Sequence, residues 1–198
     1  MSLSPAGERI KNIVLDASVA MSDTPQMRRV LAFAILAAIQ IGPVSAADLT
    51  GTARVLDGDT IEINRQRVRL FGIDAPEDGQ ACSRQGTAYD CGQEATQTLL
   101  GLLDGKTVHC VQRDTDRYRR IVATCYLNGR GGYDVNGHMV REGWALAYRH
   151  YSWTYVDEED AARHARRGMW AGTFKAPWEW RVEHRASKEQ RQKSEPSR

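Results

Sequence analysis

The stretch Val55-Leu56-Asp57-Gly58-Asp59-Thr60, with its continuation Val68-Arg69-Leu70-Phe71-Gly72-Ile73-Asp74-Ala75-Pro76-Glu77, puts four acids and one arginine at the ends of two neighbouring apolar runs. Thr60 to Asn64 alternates apolar and polar residues, as a half-buried strand does. Arg65-Gln66 is a turn, and Val68 to Ile73 is apolar again. With Leu49 to Leu56 before them, these runs read as an antiparallel meander. Asp57 and Asp59 end one run; Asp74 and Glu77 end the next. Strand ends that deliver carboxylates to one edge make an oxygen-rich site for a hard divalent cation. Arg69 is a permanent cation whose planar fork suits phosphate oxygens. Carboxylates for a metal and an arginine for phosphate together point to metal-assisted phosphodiester chemistry. One such aspartate alone would read as a surface turn; the convergence of several groups is what carries the argument.

The same residues carry a family resemblance. D-G-D-T followed by R-L-x-G-I-D-A-P-E resembles the staphylococcal nuclease (thermonuclease) family. Asp116-Arg117-Tyr118-Arg119-Arg120, ahead of the strand Ile121 to Tyr126, and Asn136-Gly137-His138-Met139-Val140-Arg141-Glu142-Gly143-Trp144-Ala145 are two further blocks of that likeness, which spans about Thr50 to Trp170. The resemblance implies a calcium ion held by Asp59, Asp74 and the main-chain carbonyl of Ala75, with Asp57 acting through water. It implies Glu77 as general base and Arg69 and Arg120 as the arginines on the phosphate. Tyr118 and Tyr148 match positions that contact nucleotide, Tyr148 across a one-residue gap. The implied activity is calcium-dependent hydrolysis of DNA and RNA with little sequence preference, leaving 3′-phosphorylated products. The rival reading is a non-catalytic module that binds nucleic acid or another polyanion. Such modules lack the acids and arginines that are all present here. A role in exopolysaccharide biology ranks third, because no sugar-directed carboxylate pair is evident.

The rest of the chain supplies the scaffold. Ala75 to Gly92 reads as a polar loop rich in Gly and Asp. Glu94 to Leu103 puts Ala95, Leu99, Leu102 and Leu103 on one helical face. Lys106 to Gln112 and Arg120 to Leu127 are two more strands, and strand alternation would turn Arg119 away from Arg120. Val135 to Glu142 is a short helix ended by Gly143. Asp157 to Arg167 is a charged helix with acids first and bases last, as the helix dipole prefers. Five strands with a helix after the third agree with what the resemblance implies: a β-barrel with α-helices (α+β), namely a five-stranded OB-fold barrel with about three packed helices. Trp170, Trp178 and Trp180 are read as pinning the last segment onto the barrel rather than stacking bases. The domain is placed at residues 47–180. Beyond it, residues 181–198 are charged and read as a disordered tail.

Met27-Arg28-Arg29, the apolar run Val30 to Ile41 interrupted only by Gln40, and Val44-Ser45-Ala46 have the layout of a secretory signal peptide over residues 27–46. The run is short for a membrane span, so no stable membrane anchor is expected. Residues 1–26 are read as an upstream extension, with the natural start at Met27 or, less favoured, Met21. Export to the periplasm or beyond makes the four cysteines legible as disulfides, for which three pairings exist. Cys110 and Cys125 lie on consecutive strands on either side of the turn around Asp114 to Arg117, which favours their pairing across two strands. Cys82–Cys91 remains as a short loop closure. A zinc site is the rival, but the spacing is wrong for one. The segment before Ala47 holds four of the 27 Lys and Arg and three of the 25 Asp and Glu. The remainder is nearly neutral, so attraction to DNA or RNA must come from a local patch. A monomer is expected.

Overall fold

The computed structural model describes residues 48–194. The expectations for the leader and the upstream extension lie outside the described residues. Strands β1 (Leu49–Val55), β2 (Thr60–Ile63) and β3 (Gln66–Leu70) form the expected antiparallel meander, with Arg54 opposite Glu62 and Thr60 opposite Arg69. Strand β7 (Thr107–Thr115) pairs antiparallel with β1, β8 (Ile121–Leu127) pairs antiparallel with β7, and the short β9 (Tyr133–Asp134) pairs antiparallel with the end of β8. Parallel pairing of β3 with β8 then closes a five-stranded barrel, with Val68 beside Ile121 and Leu70 beside Ala123. Period-2 alternation fixes this register, because a slip by one residue would turn every apolar side chain outward. Ile61, Ile63, Val68, Leu70, Val108 and Ala123 fill the interior.

Among the described residues four α-helices accompany the barrel, one more than expected. Helix α1 (Cys91–Leu103) lays Ala95, Leu99 and Leu103 on the core, and Leu102 packs at its edge. Asp90 caps it by accepting from the backbone N–H of Gln93 at 2.9 Å. Helix α2 (Val135–Arg141) buries Val135, Met139 and Val140. Its buried Asn136 accepts from Cys125 N and donates to the carbonyls of Phe71 and Ala123, which fastens α2 over the seam where the barrel closes. Helix α3 (Val156–His164) begins with three acids and ends with Arg163 and His164, as expected. Helix α4 (Pro177–Ser194) is a correction: residues 181–194 continue a helix where a disordered tail was expected. The composition of that stretch is charged, but Pro177 starts the helix and Trp178 packs on the second core cluster, with Met169 and Leu146.

Two segments differ from the sequence reading for local reasons. The apolar run ending at Ile73 breaks at Gly72, whose φ is +75°, and resumes as β4 (Ile73–Asp74) paired with β10 (Leu146–Ala147). The loop after Ala75 contains a hairpin, β5 (Ala81–Arg84) and β6 (Thr87–Asp90), turned at Gln85-Gly86 with φ of 52° and 81°. That is the positive-φ pair a two-residue hairpin turn requires. Alternation in this hairpin is too weak to announce it. Both expected disulfides form: Cys82–Cys91 ties β5 to the start of α1, and Cys110–Cys125 joins residues directly opposite each other on β7 and β8.

Candidate active site

The turn between β1 and β2, the end of β3, and β4 meet at one edge of the barrel. Gly58 permits the first approach. A Cβ there would stand 2.8 Å from the side chains of both Ala75 and Ala95, so the Asp57-to-Asp59 turn presses against the loop after β4 and against α1. Gly92 permits the second: its Cβ would lie 1.9 Å from the carbonyl oxygen of Glu77. Helix α1 can therefore seat its first turn directly under the Glu77 backbone.

Arg69 organises the acids. It donates Nη1 to Asp59 Oδ1 at 2.8 Å and Nη2 to Asp74 Oδ1 at 2.6 Å, spanning the two buried carboxylates with one planar fork. The second oxygen of Asp59 accepts from Ala75 N at 3.0 Å, and Thr60 donates to Oδ1 at 3.1 Å. Asp57 accepts from the backbone of Asp59 at 3.0 Å. Asp59, Asp74 and Ala75 are thus brought together. Burial, followed by the charge of Asp59, pushes the Asp57 carboxyl up to about 6. Burial also raises Asp74, although Arg181 and Arg69 pull the other way. For Arg69, burial alone would lower the pKa, but Asp59 and Asp74 outweigh it and the guanidinium is held charged.

Arg181 was missed by sequence reasoning. It reaches from α4 and donates Nη2 to Asp74 Oδ2 at 2.8 Å and Nη1 to Asp74 Oδ1 at 3.1 Å and to Glu77 Oε1 at 2.5 Å. Those bonds outweigh its burial and raise its pKa. No signal in the sequence separates it from the other arginines of a charged helix. Three carboxylates, Asp59, Asp74 and Glu77, are thus bonded by two guanidiniums. Among the described residues no three His, Cys, Asp or Glu side chains converge into a metal-holding group; Asp59 and Asp74 are the paired carboxylates, oxygen donors of the type a hard divalent cation takes.

Arg120 lies on the neighbouring strand end and is not joined to these acids. Its Nε donates to Asp116 Oδ2 at 2.7 Å, and Asp116 also accepts from the backbone N–H groups of Tyr118 and Arg120. Arg120 lines an open groove with Arg65, Arg67, Tyr118 and Arg119. The expectation that Arg119 points away from Arg120 rested on strand alternation, yet both arginines line this groove. Arg119 sits at φ +64° in the turn, and β8 starts only at Ile121, so strand alternation does not apply. Tyr118 is 64% exposed, with the guanidiniums of Arg117 and Arg120 over its ring.

Tyr148 follows β10 and donates its backbone N–H to the carbonyl of Gly72 at 2.9 Å, which fixes it beside the Asp74 strand. Buried Glu159 on α3 holds this segment by accepting from Ala147 N and from Arg149. The Tyr148 ring packs against Tyr151 and Trp178, with centroids 5.1 and 5.6 Å away. Burial, then the charge of Asp74, raises its phenol. Trp170 and Trp178 pack against the second core cluster, as expected of pinning residues, whereas Trp180 stacks on His184 within α4.

Comparison with known proteins places these blocks in context. The family described as staphylococcal nuclease homologue matches residues 67–172. A micrococcal nuclease of Shigella flexneri is 40% identical over 158 residues, covering 72% of this chain and 84% of that protein. An uncharacterized endonuclease of Escherichia coli is 39% identical over 147 residues, covering 70% of this chain and 89% of that protein. A succinoglycan biosynthesis protein, ExoI, of Rhizobium meliloti is 39% identical over 104 residues, about half of each chain.

Proposed function

The chain belongs to the staphylococcal nuclease family, and from that premise we propose that it is an exported, calcium-dependent nuclease that hydrolyses phosphodiester bonds of DNA and RNA with low sequence specificity and leaves 3′-phosphorylated products. The observation that carries the proposal is the Arg69 fork across Asp59 and Asp74, with Glu77 held at the same edge. Asp59, Asp74 and the Ala75 carbonyl would hold calcium, which when bound supplies Lewis-acid polarisation of a phosphoryl oxygen. Glu77 accepts a proton from the attacking water. Arg69 and Arg120 stabilise the charge that gathers on the equatorial oxygens of phosphorus. The groove arginines Arg65, Arg67 and Arg119 supply the local positive patch that a nearly neutral chain needs for a polyanion. Tyr118 and Tyr148 offer aromatic faces to nucleotides. Export is supported by the signal-like residues 27–46 and by the two disulfides, which persist in oxidising compartments. Among the described residues no helix is long and apolar enough to cross a membrane.

The test is the purified protein on plasmid DNA and on RNA, with calcium or with chelator. The expected result is fragmentation of both only with calcium, with ends that resist extension until a phosphatase removes the 3′-phosphate. Binding without cleavage in calcium would favour the non-catalytic module instead.

A further inference from the structure

Among the described residues, the Glu77 carboxylate has one hydrogen-bonding partner, and it comes from the far end of the chain. Arg181 bonds Glu77 Oε1 with Nη1 while both of its terminal nitrogens engage Asp74. The segment leading into α4 is fastened to the same loop a second time. Fully buried Gln80 accepts from Glu77 N on Oε1 at 3.1 Å and donates Nε2 to the carbonyl of Lys175 at 2.9 Å. The Glu77 backbone is thus held by Gln80 on one side and by the close approach of Gly92 on the other. The Glu77 side chain, 36% exposed, depends on Arg181. Ordering a free glutamate side chain costs conformational entropy. Freezing it before the reaction removes that cost from the chemical step.

We propose that Arg181 is a positioning residue of the active site: its guanidinium holds Glu77 against Asp74, so that the proton acceptor and the cation-binding carboxylate keep a fixed separation. The inference rests on the reading of Glu77 as proton acceptor. The task needs two donor nitrogens on two different carboxylates in one plane, which a guanidinium has and a lysine ammonium lacks. It also gives the C-terminal helix a role in the chemistry: α4 brings to the barrel edge a group that no barrel strand supplies.

The experiment combines Arg181→Gln and Arg181→Lys with Glu77→Gln in a double-mutant cycle, alongside NMR relaxation of the Glu77 side chain in the metal-free protein. Arg181→Gln is expected to lower kcat on the order of 10²-fold, the scale of a catalytic group misplaced by about an ångström. KM for an oligonucleotide should stay within about twofold, since uniform substrate binding is untouched. Arg181→Lys should recover only part of kcat. In the Glu77→Gln background the further loss should be less than about threefold, because the residue acts through Glu77. The Glu77 side chain should gain motion, while the backbone of residues 77–80, held by Gln80 and Gly92, and circular dichroism stay as in the unsubstituted protein. A rise in KM at constant kcat would overturn the proposal in favour of direct substrate contact. So would an equal loss of kcat in both backgrounds, or unchanged kcat and unchanged order of the Glu77 side chain. If Glu77→Gln itself turns over at the wild-type rate, the assignment of the proton acceptor fails; a mobile Glu77 side chain in Arg181→Gln then still reports the clamp.

Discussion

At the scale of single residues, the acids of the site have separable jobs. Asp59 and Asp74 are buried and joined by Arg69, and the proposed function makes them the calcium carboxylates. Asp59→Asn and Asp74→Asn should each weaken calcium at least about tenfold, since even partners one shell removed from a metal cost 10–100-fold. Glu77→Gln should leave calcium affinity largely intact while turnover falls about 10²–10⁴-fold, the scale of a positioned acid–base group. Calorimetric titration beside a cleavage assay separates the two outcomes. Asp57 makes a different prediction. Its carboxyl is pushed from 3.8 to about 6, so the folded protein holds that proton more tightly than the unfolded chain does. The associated stability is present below about pH 4 and lost as pH rises through about 6, by up to about 3 kcal/mol. The thermal midpoint of metal-free protein should fall across that window. Asp57→Asn should flatten the fall, and calcium should offset it. A fall between pH 4 and 6 that is as steep in Asp57→Asn as in the unsubstituted protein would contradict this.

At the scale of elements, the two disulfides act on different parts of the molecule. Cys110–Cys125 staples two barrel strands 15 residues apart in sequence, and Cys82–Cys91 staples the β5–β6 hairpin to the first turn of α1. Removing either should cost about 2–3 kcal/mol. Because α1 seats under Glu77 through Gly92, Cys91→Ser with Cys82→Ser should also lower turnover, whereas Cys110→Ser with Cys125→Ser should spare it; denaturation curves and rates on the two double variants check both. The β2–β3 hairpin makes a further prediction. Glu62, opposite Arg67 on the neighbouring strand, is paired with Arg54 at 3.0 Å. Arg67 is thereby left without a carboxylate among the described residues, about 6.6 Å along the strand from Arg69 on the same face. Arg65→Ala with Arg67→Ala should weaken DNA binding uniformly across sequences. The slope of log affinity against log salt should shrink by about 1.4–1.8, the release expected of two phosphate contacts. A salt titration of binding in chelator measures it.

At the scale of the whole molecule, the fold is assembled so that its last helix returns to the edge its first turn builds. Asp48 is fastened to the barrel, its carboxylate accepting from His109 at 3.2 Å and pairing with Arg130. The small residues Val44-Ser45-Ala46 close the signal-like segment of the sequence. Sequencing of exported protein should begin at Ala47 or Asp48, and exported protein that retains Met1 would contradict the export reading. The barrel, the disulfide pairing and the acids of the site were legible because their signals are local. Alternation reports a strand, Cys110 and Cys125 on consecutive strands either side of one turn report a hairpin, and Asp57, Asp59, Arg69, Asp74 and Glu77 lie within 21 residues. What escaped depends on contacts that no local pattern encodes. The side of the turn that Arg119 faces follows from one positive φ, and the β5–β6 hairpin follows from Gln85-Gly86 rather than from apolar alternation. Arg181 lies 107 residues from Asp74 in the chain. A charged helix read alone shows an arginine like any other, and only the packing of Trp178 and the buried Gln80–Lys175 bond aim that one at the catalytic edge. Local sequence determines which groups exist and which strands carry them, because backbone periodicity and turn chemistry act over a few residues. Which distant cation completes the site was decided by tertiary packing, because a guanidinium pairs with whatever carboxylates the fold brings within reach.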